Sequence, residues 1–440
     1  MPLCDDPSRR HRHHREAATG IVRTLREAGY TAYFAGGCVR DELLGLHPKD
    51  YDVATDARPD AVRGLFKRVN EVGASFGVML VRVRGVTIEV ATFRREGGYA
   101  DRRRPDHVEY AGRDEDAHRR DFTINALYLD PVAPPAEPFM HIEGEVIDLV
   151  GGVRDLEAKV IRAVGDPEAR LAEDDLRALR AVRFAARLGF TIETGTREAI
   201  RRHAGELVGV SRERIGDELR LMLTHPSRAE AAHLMESLDL VAPALDCREG
   251  VSCVGEDRLL SGLGGEVDFS TALAAWSIDR MDGAGLDFVR VRDAASATAS
   301  RLRSALCLSN DERDALRGTL VTLAELALDW RNLSMSAQKR LVIGPSFPRA
   351  MTILKVADGV RAAAIERRVE ALEATETGLR PTPLLAGDDL IEMGLTPGPQ
   401  FRAILDAVYD RQLDGGVRDR SAAMALVRRI VAGEAGSRGG

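Results

Sequence analysis

The chain of 440 residues is poor in cysteine and contains no long apolar run. Its five cysteines are odd in number and lack CxxC spacing, a pattern typical of reduced thiols in a cytoplasmic protein. No apolar stretch approaches the roughly 18 residues that a membrane-spanning helix requires. The start of the sequence, MPLCDDPSRRHRHHREAATG, lacks the apolar core and cleavage site of a secretory signal. We therefore expect a cytoplasmic protein without a membrane partner.

An excess of positive charge is also absent, because the formal net charge is −7 at pH 7. This argues against a general cationic nucleic-acid coat but is compatible with a local basic groove. The basic residues are clustered at 9–15, at 102–104, at 119–120 and in the ladder Arg177, Arg180 and Arg183. The first cluster is typical of a solvated, partly disordered tail, which we place at residues 1–20.

Hydrophobic periodicity changes near residue 155. Before it, short β-rich runs alternate with helical patterns, and FGVMLVRV and VTIEVATF predict a hairpin across Arg84-Gly85. Beyond it, segments rich in Ala, Leu, Arg and Glu follow a helical period. We also predict a helix at 58–69, a Gly-rich loop at 247–268 and a linker at 376–390. The predicted fold class is α+β, with a small mixed sheet followed by an all-α remainder, in two to four domains.

The stretch GGCVRDELLGLHPKDYDVA, residues 36–54, contains two aspartates two positions apart. If Asp50 and Asp52 lie in one strand, both carboxylates leave the same face, where Mg²⁺ can bind them through oxygen. Glu89, in the second strand of the predicted hairpin, could reach the same point. Such a cluster activates an attacking oxygen and stabilises a leaving phosphate. A solvent-facing acidic strand end is the commoner explanation of a DxD pair taken alone.

The glycine pair Gly36-Gly37 stands at a predicted junction of strand and helix. Glycine lets the backbone approach a ligand closely, and a helix start offers free N–H groups to an anion such as a triphosphate. Arg40, one turn further on, could add a charge-assisted contact to phosphate. The pair matches neither a Walker loop nor GxGxxG, and a tight turn alone would also explain it.

In combination, GGCVRDELLG and KDYD resemble the nucleotidyltransferase superfamily of DNA polymerase β. More narrowly, they resemble the class II tRNA nucleotidyltransferases, the CCA-adding enzymes, together with bacterial poly(A) polymerases. Further stretches that carry the resemblance are EVATFRREGGYADRRRPDHVEY (89–110), RRDFTINALYLD (119–130), EDDLRALRAVRFAARLGF (173–190) and LLAGDDLIEMGLTPGPQFRAIL (384–405). The resemblance implies a polymerase-β-like palm as head at 21–153, a helical neck at 154–225, and a tRNA-binding helical body and tail at 226–440.

The resemblance also implies roles for individual residues. Asp50 and Asp52 match metal-binding aspartates, and Glu89 is carried over as a third catalytic carboxylate. The positions that match nucleotide contacts are Gly37, Arg40, Arg120, Asp174, Arg177, Arg180 and Arg183.

The segment from Glu173 to Arg187 contains good helix formers and no breaker, so we predict one helix with Asp174 and Arg177 adjacent. A carboxylate accepts hydrogen bonds and a guanidinium only donates them. Cytosine and adenine present an amino donor beside a ring-nitrogen acceptor, whereas uracil and guanine present a carbonyl beside an N–H. The pair therefore favours CTP and ATP, and a mismatch would leave buried polar groups unpaired. A solvated Asp–Arg helix face is the alternative.

Two further segments contain candidate site residues. In RRDFTINA, Asp121 and Asn125 stand four apart, and they could hold the ribose or merely bracket a turn. We favour a ribose contact for Arg120 and Asp121 and leave the role of Asn125 open. The segment GGYADRRRPD (97–106) resembles a flexible element of the family, although Arg102 stands where glycine is usual. The presence of this element favours a complete CCA-adding or A-adding enzyme over a CC-adding one. SRERIGDELRLML (211–223) is interpreted as a packing helix with exposed charges.

The resulting hypothesis is template-independent, Mg²⁺-dependent addition of CMP and AMP to the 3′ end of tRNA, with release of pyrophosphate. A poly(A) polymerase or A-adding enzyme of the same family is the alternative, and the motifs do not separate these. An RNA-binding module with a vestigial centre is opposed by the intact Asp50 and Asp52. Nucleotidyl transfer to a small molecule leaves the helical extension unexplained. No stable protein partner is predicted.

Overall fold

The computed structural model describes residues 7–71, 77–97, 107–136, 139, 142–246, 258–281 and 286–433. The chain divides into two compact units. The N-terminal unit comprises 1–222 and 230–247, and the C-terminal unit comprises 223–229 and 248–440. The predicted head and neck thus fall in one unit, and the boundaries predicted at 153 and 225 stay predictions.

The first part of the N-terminal unit alternates helices and strands, as predicted. Its elements are α1 (Pro7–Glu27), β1 (Ala32–Ala35), α2 (Gly37–Leu43), β2 (Asp52–Thr55), α3 (Pro59–Leu65), β3 (Val69–Glu71), β4 (Val78–Val83), β5 (Val86–Thr92), β6 (Arg94–Gly97), β7 (His107–Tyr110), α4 (Arg113–His118), a 3₁₀ turn (Thr123–Asn125), β8 (Leu127–Asp130) and β9 (Glu145–Asp148).

Seven of these strands form one mixed sheet in the order β3-β4-β5-β2-β1-β8-β9. Strands β2 and β5 are parallel, and all other neighbours in this sheet are antiparallel. The predicted hairpin of β4 and β5 is confirmed, with Val83 opposite Val86. Its two turn residues, Arg84 and Gly85, have φ of 51° and 83°, the left-handed backbone that a two-residue hairpin turn requires. The helix predicted at 58–69 ends at Leu65, because the chain then leads into β3.

Helix α1 corrects the prediction of a tail over residues 1–20. From Pro7 onward the described residues are helical, and Ala17, Ile21 and Leu25 are fully buried in the core of the sheet. The basic half of the helix is held as well, since Arg15 Nε donates to Glu42 at 2.8 Å. Composition suggested disorder, but a helix whose apolar stripe is packed extends easily into the adjoining turns.

The remainder of the N-terminal unit is helical apart from two short strands. Its elements are α5 (Gly152–Glu157), β10 (Val160–Ile161), α6 (Pro167–Glu173), α7 (Leu176–Leu188), β11 (Thr191–Ile192), α8 (Thr194–His203), a 3₁₀ turn (Ala204–Gly209), α9 (Arg212–Leu223), α10 (Arg228–Ser237) and α11 (Val241–Leu245).

The regular elements of the C-terminal unit are all helices within its described residues, as predicted. Its elements are α12 (Arg258–Gly262), α13 (Phe269–Asp279), α14 (Phe288–Leu306), α15 (Asn310–Leu328), a 3₁₀ turn (Trp330–Asn332), α16 (Met335–Val342), α17 (Phe347–Ala357), α18 (Gly359–Glu373), α19 (Gly387–Glu392), α20 (Gln400–Leu413) and α21 (Arg420–Val431). Helix α12 corrects the loop predicted at 247–268, of which residues 247–257 lie outside the described residues. Nowhere in the described part of the chain is a helix long and apolar enough to cross a membrane.

Candidate active site

A cavity of about 490 Å³ in the N-terminal unit brings together most of the predicted site residues. Strands β2 and β5, the start of α2, the segment after α4 and helix α7 all contribute to its wall. Its lining includes the predicted residues Gly37, Arg40, Asp52, Glu89, Arg120, Asp121, Asp174, Arg177, Arg180 and Arg183. Asp50 is the one predicted site residue that does not line the cavity.

Asp52 and Glu89 form the carboxylate part of the cavity. They are register partners on the parallel strands β2 and β5, so their side chains leave the same face of the sheet side by side. Among the described residues, neither carboxylate has an ion-pair partner. Desolvation by the surrounding protein raises the pKa of Asp52 to about 6, although the side chain lines the open cavity. The negative charges of Glu89 and Asp50 also raise this pKa, whereas the positive charge of Arg120 lowers it.

The position of Asp50 corrects the prediction that both aspartates lie in one strand. Strand β2 begins only at Asp52, and Asp50 lies in the exposed connection before it. Pro48 in this connection lacks the N–H that a strand ladder needs, which explains the late start. Asp50 nevertheless acts electrostatically on Asp52.

The donors fit a hard divalent cation, because two adjacent carboxylates without ion-pair partners gain from a positive charge between them. Within the described residues, no three His, Cys, Asp or Glu side chains converge as a complete coordination shell. An ion at this point would therefore take its remaining oxygens from substrate phosphate or water, as Mg²⁺ commonly does. These carboxylates therefore suit a cation that is bound jointly by the protein and by its substrate.

Gly36 turns the chain from β1 into α2 and places its backbone against Arg120. Its φ of 77° and ψ of −127° are accessible essentially to glycine alone. A Cβ at this position would lie 2.9 Å from Arg120 Nη1. The glycine thus serves both the turn and the close approach of a cavity arginine.

Arg40 and Arg120 are held in place by neighbours that the sequence did not identify. Arg40 is 4% exposed, forms an ion pair with Asp41 at 2.6 Å, and donates from Nη1 to Asn125 Oδ1 at 2.6 Å. Asn125, whose role the sequence left open, therefore orients an arginine. Arg120 pairs at 3.1 Å with the buried Asp116, four residues earlier on α4. That spacing also occurs on any solvated helix, so it carries no distinctive signal.

The predicted helix from Glu173 to Arg187 is interrupted at its start, which is a further correction. Helix α6 ends at Glu173 and α7 begins at Leu176. Asp174 lies between them in extended backbone, and its Oδ1 accepts a hydrogen bond from Leu176 N at 3.1 Å. Aspartate competes in this way for helix N–H groups, so it marks a helix boundary. Asp174 and Arg177 both still line the cavity.

Each acid or base of this row is paired within the protein. Asp174 pairs with Arg214 at 2.6 Å, and Arg177 pairs with Glu173 at 2.5 Å. Arg180 pairs with Asp121 at 2.6 Å, and Arg183 pairs with Glu218 at 2.6 Å. The side chains of Asp174 and Arg177, predicted to read the base together, thus each pair with another residue, and the two are joined through the backbone, where Arg177 N donates to the carbonyl oxygen of Asp174 at 3.0 Å.

Helix α9 is a packing helix as predicted, with Ile215 and Leu219 fully buried, but the expectation that its charged residues are merely exposed is wrong. Arg214 and Glu218 stand four residues apart on α9 and hold Asp174 and Arg183 respectively. Glu218 is only 6% exposed and also lies 3.7 Å from Arg180. Sequence reasoning missed both residues because an Arg and a Glu at this spacing are typical of a solvated helix face.

Positive charge dominates the lining, which contains eight arginines against four carboxylates. Three of these arginines, Arg94, Arg119 and Arg187, were not predicted as site residues. Phe184 adds an aromatic face, with the Arg183 guanidinium 4.4 Å from its ring centroid. One guanidinium group can donate two parallel hydrogen bonds to two oxygens of a phosphate, so the cavity suits a polyanion. Residues 98–106, which form most of the segment predicted to be a flexible element, lie outside the described residues.

This fold and cavity define a nucleotidyltransferase head of the poly(A) polymerase type, followed by helices. The family model of the poly(A) polymerase head domain matches residues 32–162. A second model, described as a probable RNA and SrmB-binding site of polymerase A, matches residues 189–246.

Comparison with individual proteins identifies the family within this class of nucleotidyltransferases. A CCA-adding enzyme of Levilactobacillus brevis is 34% identical over 397 residues, which cover 89% of this chain and 91% of that protein. One of Lactiplantibacillus plantarum is 41% identical over 278 residues, or 62% of this chain and 64% of that relative. The crystal structure of the Bacillus stearothermophilus CCA-adding enzyme in complex with CTP matches with a TM-score of 0.74 and 27% identity, over 95% of this chain and 98% of that one. The chain belongs to the CCA-adding enzyme family of tRNA nucleotidyltransferases.

Proposed function

We propose that this protein adds CMP and AMP to the 3′ end of tRNA without a nucleic-acid template and releases pyrophosphate. The observation that carries the proposal is the single cavity that joins the Asp52–Glu89 carboxylates to Asp174 and a wall of arginines. The names of the family relatives and the CTP complex of the Bacillus stearothermophilus enzyme support the same activity.

Asp52, together with Asp50, which lies just before β2 and acts electrostatically on Asp52, would hold Mg²⁺. When bound, this ion lowers the pKa of the attacking hydroxyl and neutralises charge that develops on phosphate. The terminal ribose hydroxyl of the RNA attacks the α-phosphate of the nucleotide, and the bond to pyrophosphate breaks. Glu89, beside Asp52, adds negative charge that strengthens cation binding at this strand edge.

Arginine side chains in the proposed mechanism position the nucleotide. Arg40 and Arg120, adjacent to the Gly36 turn, offer guanidinium donors to the triphosphate. Asp174 accepts from the exocyclic amino group that cytosine and adenine share, and Arg177 donates to the neighbouring ring nitrogen. Because uracil and guanine reverse this pattern, they would leave both side chains unmatched.

A stepwise incorporation assay tests the proposal. Three tRNA transcripts, ending before the CCA sequence, after C and after CC, are each supplied with CTP or ATP alone in the presence of Mg²⁺. The proposal expects CMP on the first two and AMP only on the third. Repeated AMP addition, or AMP on the transcripts that end before CCA or after C, would assign poly(A) polymerase activity instead. AMP on the third transcript without CMP on the first two would assign A-adding activity.

A further inference from the structure

A second cavity, of about 650 Å³, lies within the C-terminal unit and has no part in the chemistry described above. The end of α15, the 3₁₀ turn Trp330–Asn332, the helix α16 and the middle of α18 surround it. The polar and aromatic residues of its lining are Trp330, Arg331, Asn332, Gln338, Arg361 and Arg368. None of the residues that line it is acidic.

The three arginines differ in how they are held. Arg361 is tied into the fold, since it lies 3.3 Å from Asp358 and donates to the carbonyl oxygen of Ala327. Arg331 and Arg368 are exposed and form no ion pair with any residue that the structure describes. The cavity therefore carries two guanidinium charges that no carboxylate of the described chain offsets.

Arg368 is nevertheless oriented. The buried Gln338 donates from its amide nitrogen to the carbonyl of Trp330 at 2.9 Å, which fixes its amide oxygen as an acceptor. That oxygen accepts from Arg368 Nε at 2.9 Å. One donor of the guanidinium is thus used inside the protein. Its terminal nitrogens can donate as a pair to an anion with two adjacent oxygens.

We propose that this cavity binds phosphodiester groups of the RNA substrate, an inference that rests on the proposed function. Two guanidinium groups without carboxylate partners favour an anion, and a phosphodiester presents two free oxygens to a guanidinium fork. The Mg²⁺ that accompanies a free nucleoside triphosphate is usually bound through one or two protein carboxylates in addition to phosphate and water. The lining contains no carboxylate and both guanidinium groups are exposed, so phosphates of a nucleic-acid chain lying on this surface are the better fit.

The test compares the full-length double variant Arg331→Ala/Arg368→Ala with Arg367→Ala. Arg367 precedes Arg368 on α18, is equally exposed and does not line the cavity, so it is a matched control. Equilibrium binding of a tRNA transcript without CCA is measured without nucleotide, over salt concentrations from about 50 to 200 mM. The double variant should bind roughly tenfold more weakly and show a shallower salt dependence, by about one unit of slope for each lost contact.

Nucleotide measurements separate this proposal from its alternatives. KM for CTP and ATP should match those of the parent protein and of Arg367→Ala, which also shows that the head is folded. Unchanged RNA affinity and salt slope in the double variant would overturn the proposal. Loss of one bound ATP per chain with RNA affinity intact would overturn it too, in favour of a free nucleotide.

A second variant and an assay that is independent of catalysis complete the test of RNA binding. If the double variant misfolds, the single change Arg331→Glu at an exposed position replaces it and should weaken RNA binding further through charge repulsion. Binding measured without nucleotide is independent of catalysis. A parent protein that binds RNA through this cavity but adds no nucleotide would therefore contradict the proposed function and not the cavity.

Discussion

Arg180 and Asp121 form an ion pair of 2.6 Å in the wall of the active-site cavity. Both were predicted from the sequence to contact the nucleotide, and the structure joins them to each other. Arg180 donates to Asp121 Oδ2 from two nitrogens, and Asn125 donates to the other carboxylate oxygen. The pair links helix α7 to the segment after α4. A nucleotide that uses either side chain must therefore share or displace this bond.

The Asp121–Arg180 pair predicts a specific pH dependence of stability. Burial alone would raise the pKa of Asp121, but the charge of Arg180 and the hydrogen bonds lower it from 3.8 to about 2. A lowered pKa in the folded state stabilises the protein above the unfolded pKa, and this contribution is lost as the pH falls from about 4 to 2. The shift corresponds to on the order of 2 kcal/mol. Urea unfolding at pH 7, 5 and 3 measures it.

Asp121→Asn is the variant for this measurement. It should unfold at lower urea than the parent protein at pH 7, and the difference should shrink towards pH 3 as the parent carboxylate approaches protonation. Asp60→Asn is the control, because the Asp60 side chain is 92% exposed. A difference between the parent protein and Asp121→Asn that stays constant with pH would contradict the assignment.

Helix α9 should govern nucleotide choice through Arg214. Removing this guanidinium leaves the Asp174 carboxylate without its 2.6 Å partner and free to turn away from the base. We expect Arg214→Ala to lower kcat/KM for CTP roughly tenfold, as loss of one partner of a charged hydrogen bond does. The ratio of kcat/KM for CTP to that for UTP should fall as well. Single-nucleotide incorporation kinetics provide both values.

Two companions separate positioning by Arg214 from a general loss of structure. Arg214→Lys keeps the charge and should restore part of the CTP preference. Arg220→Ala, on the same helix but paired with the exposed Asp217, should leave the preference unchanged. If all three variants lose CTP and UTP incorporation in parallel, Arg214 has only a structural role.

Gly36 offers a test of the turn before α2. Gly36→Ala adds a Cβ that lies 2.9 Å from Arg120 Nη1 in a backbone region of positive φ, so it should cost about 1–3 kcal/mol and displace a cavity arginine. Gly45→Ala has a similar φ of 69° and open space around its Cβ, so it shares only the backbone cost. Thermal unfolding should shift in both variants, whereas KM for nucleotide should rise only in Gly36→Ala.

The sequence predicted what depends on local pattern. The hairpin of β4 and β5 followed from β-rich runs around Arg84-Gly85, and the proximity of Glu89 to Asp52 followed from placing them on neighbouring strands. The resemblance likewise assigned Arg177, Arg180 and Arg183 of α7 to one site with Asp52, and all of them line the same cavity.

The ion-pair partners of the charged cavity residues could not be predicted, because these partners lie far away in the sequence. Asp174 is bound by a residue 40 positions later, and Arg183 by one 35 positions later. The break before α7 was missed for a local reason, since Asp174 caps a helix end in a segment otherwise rich in helix formers. Only the basic first half of helix α1 was misjudged, because composition alone does not show that these residues continue the helix whose apolar stripe is buried.

Replacing the Asp52 carboxylate provides the sharpest test of the catalytic proposal. Asp52→Asn keeps the shape of the side chain but removes the charge that Glu89 and a cation would share, so nucleotide incorporation should fall by roughly 10²–10³-fold or more. RNA binding in the absence of nucleotide should be unaffected, since the change lies at a strand edge and adds no bulk. Incorporation by Asp52→Asn at the parent rate, with the same Mg²⁺ dependence, would show that the cation site lies elsewhere.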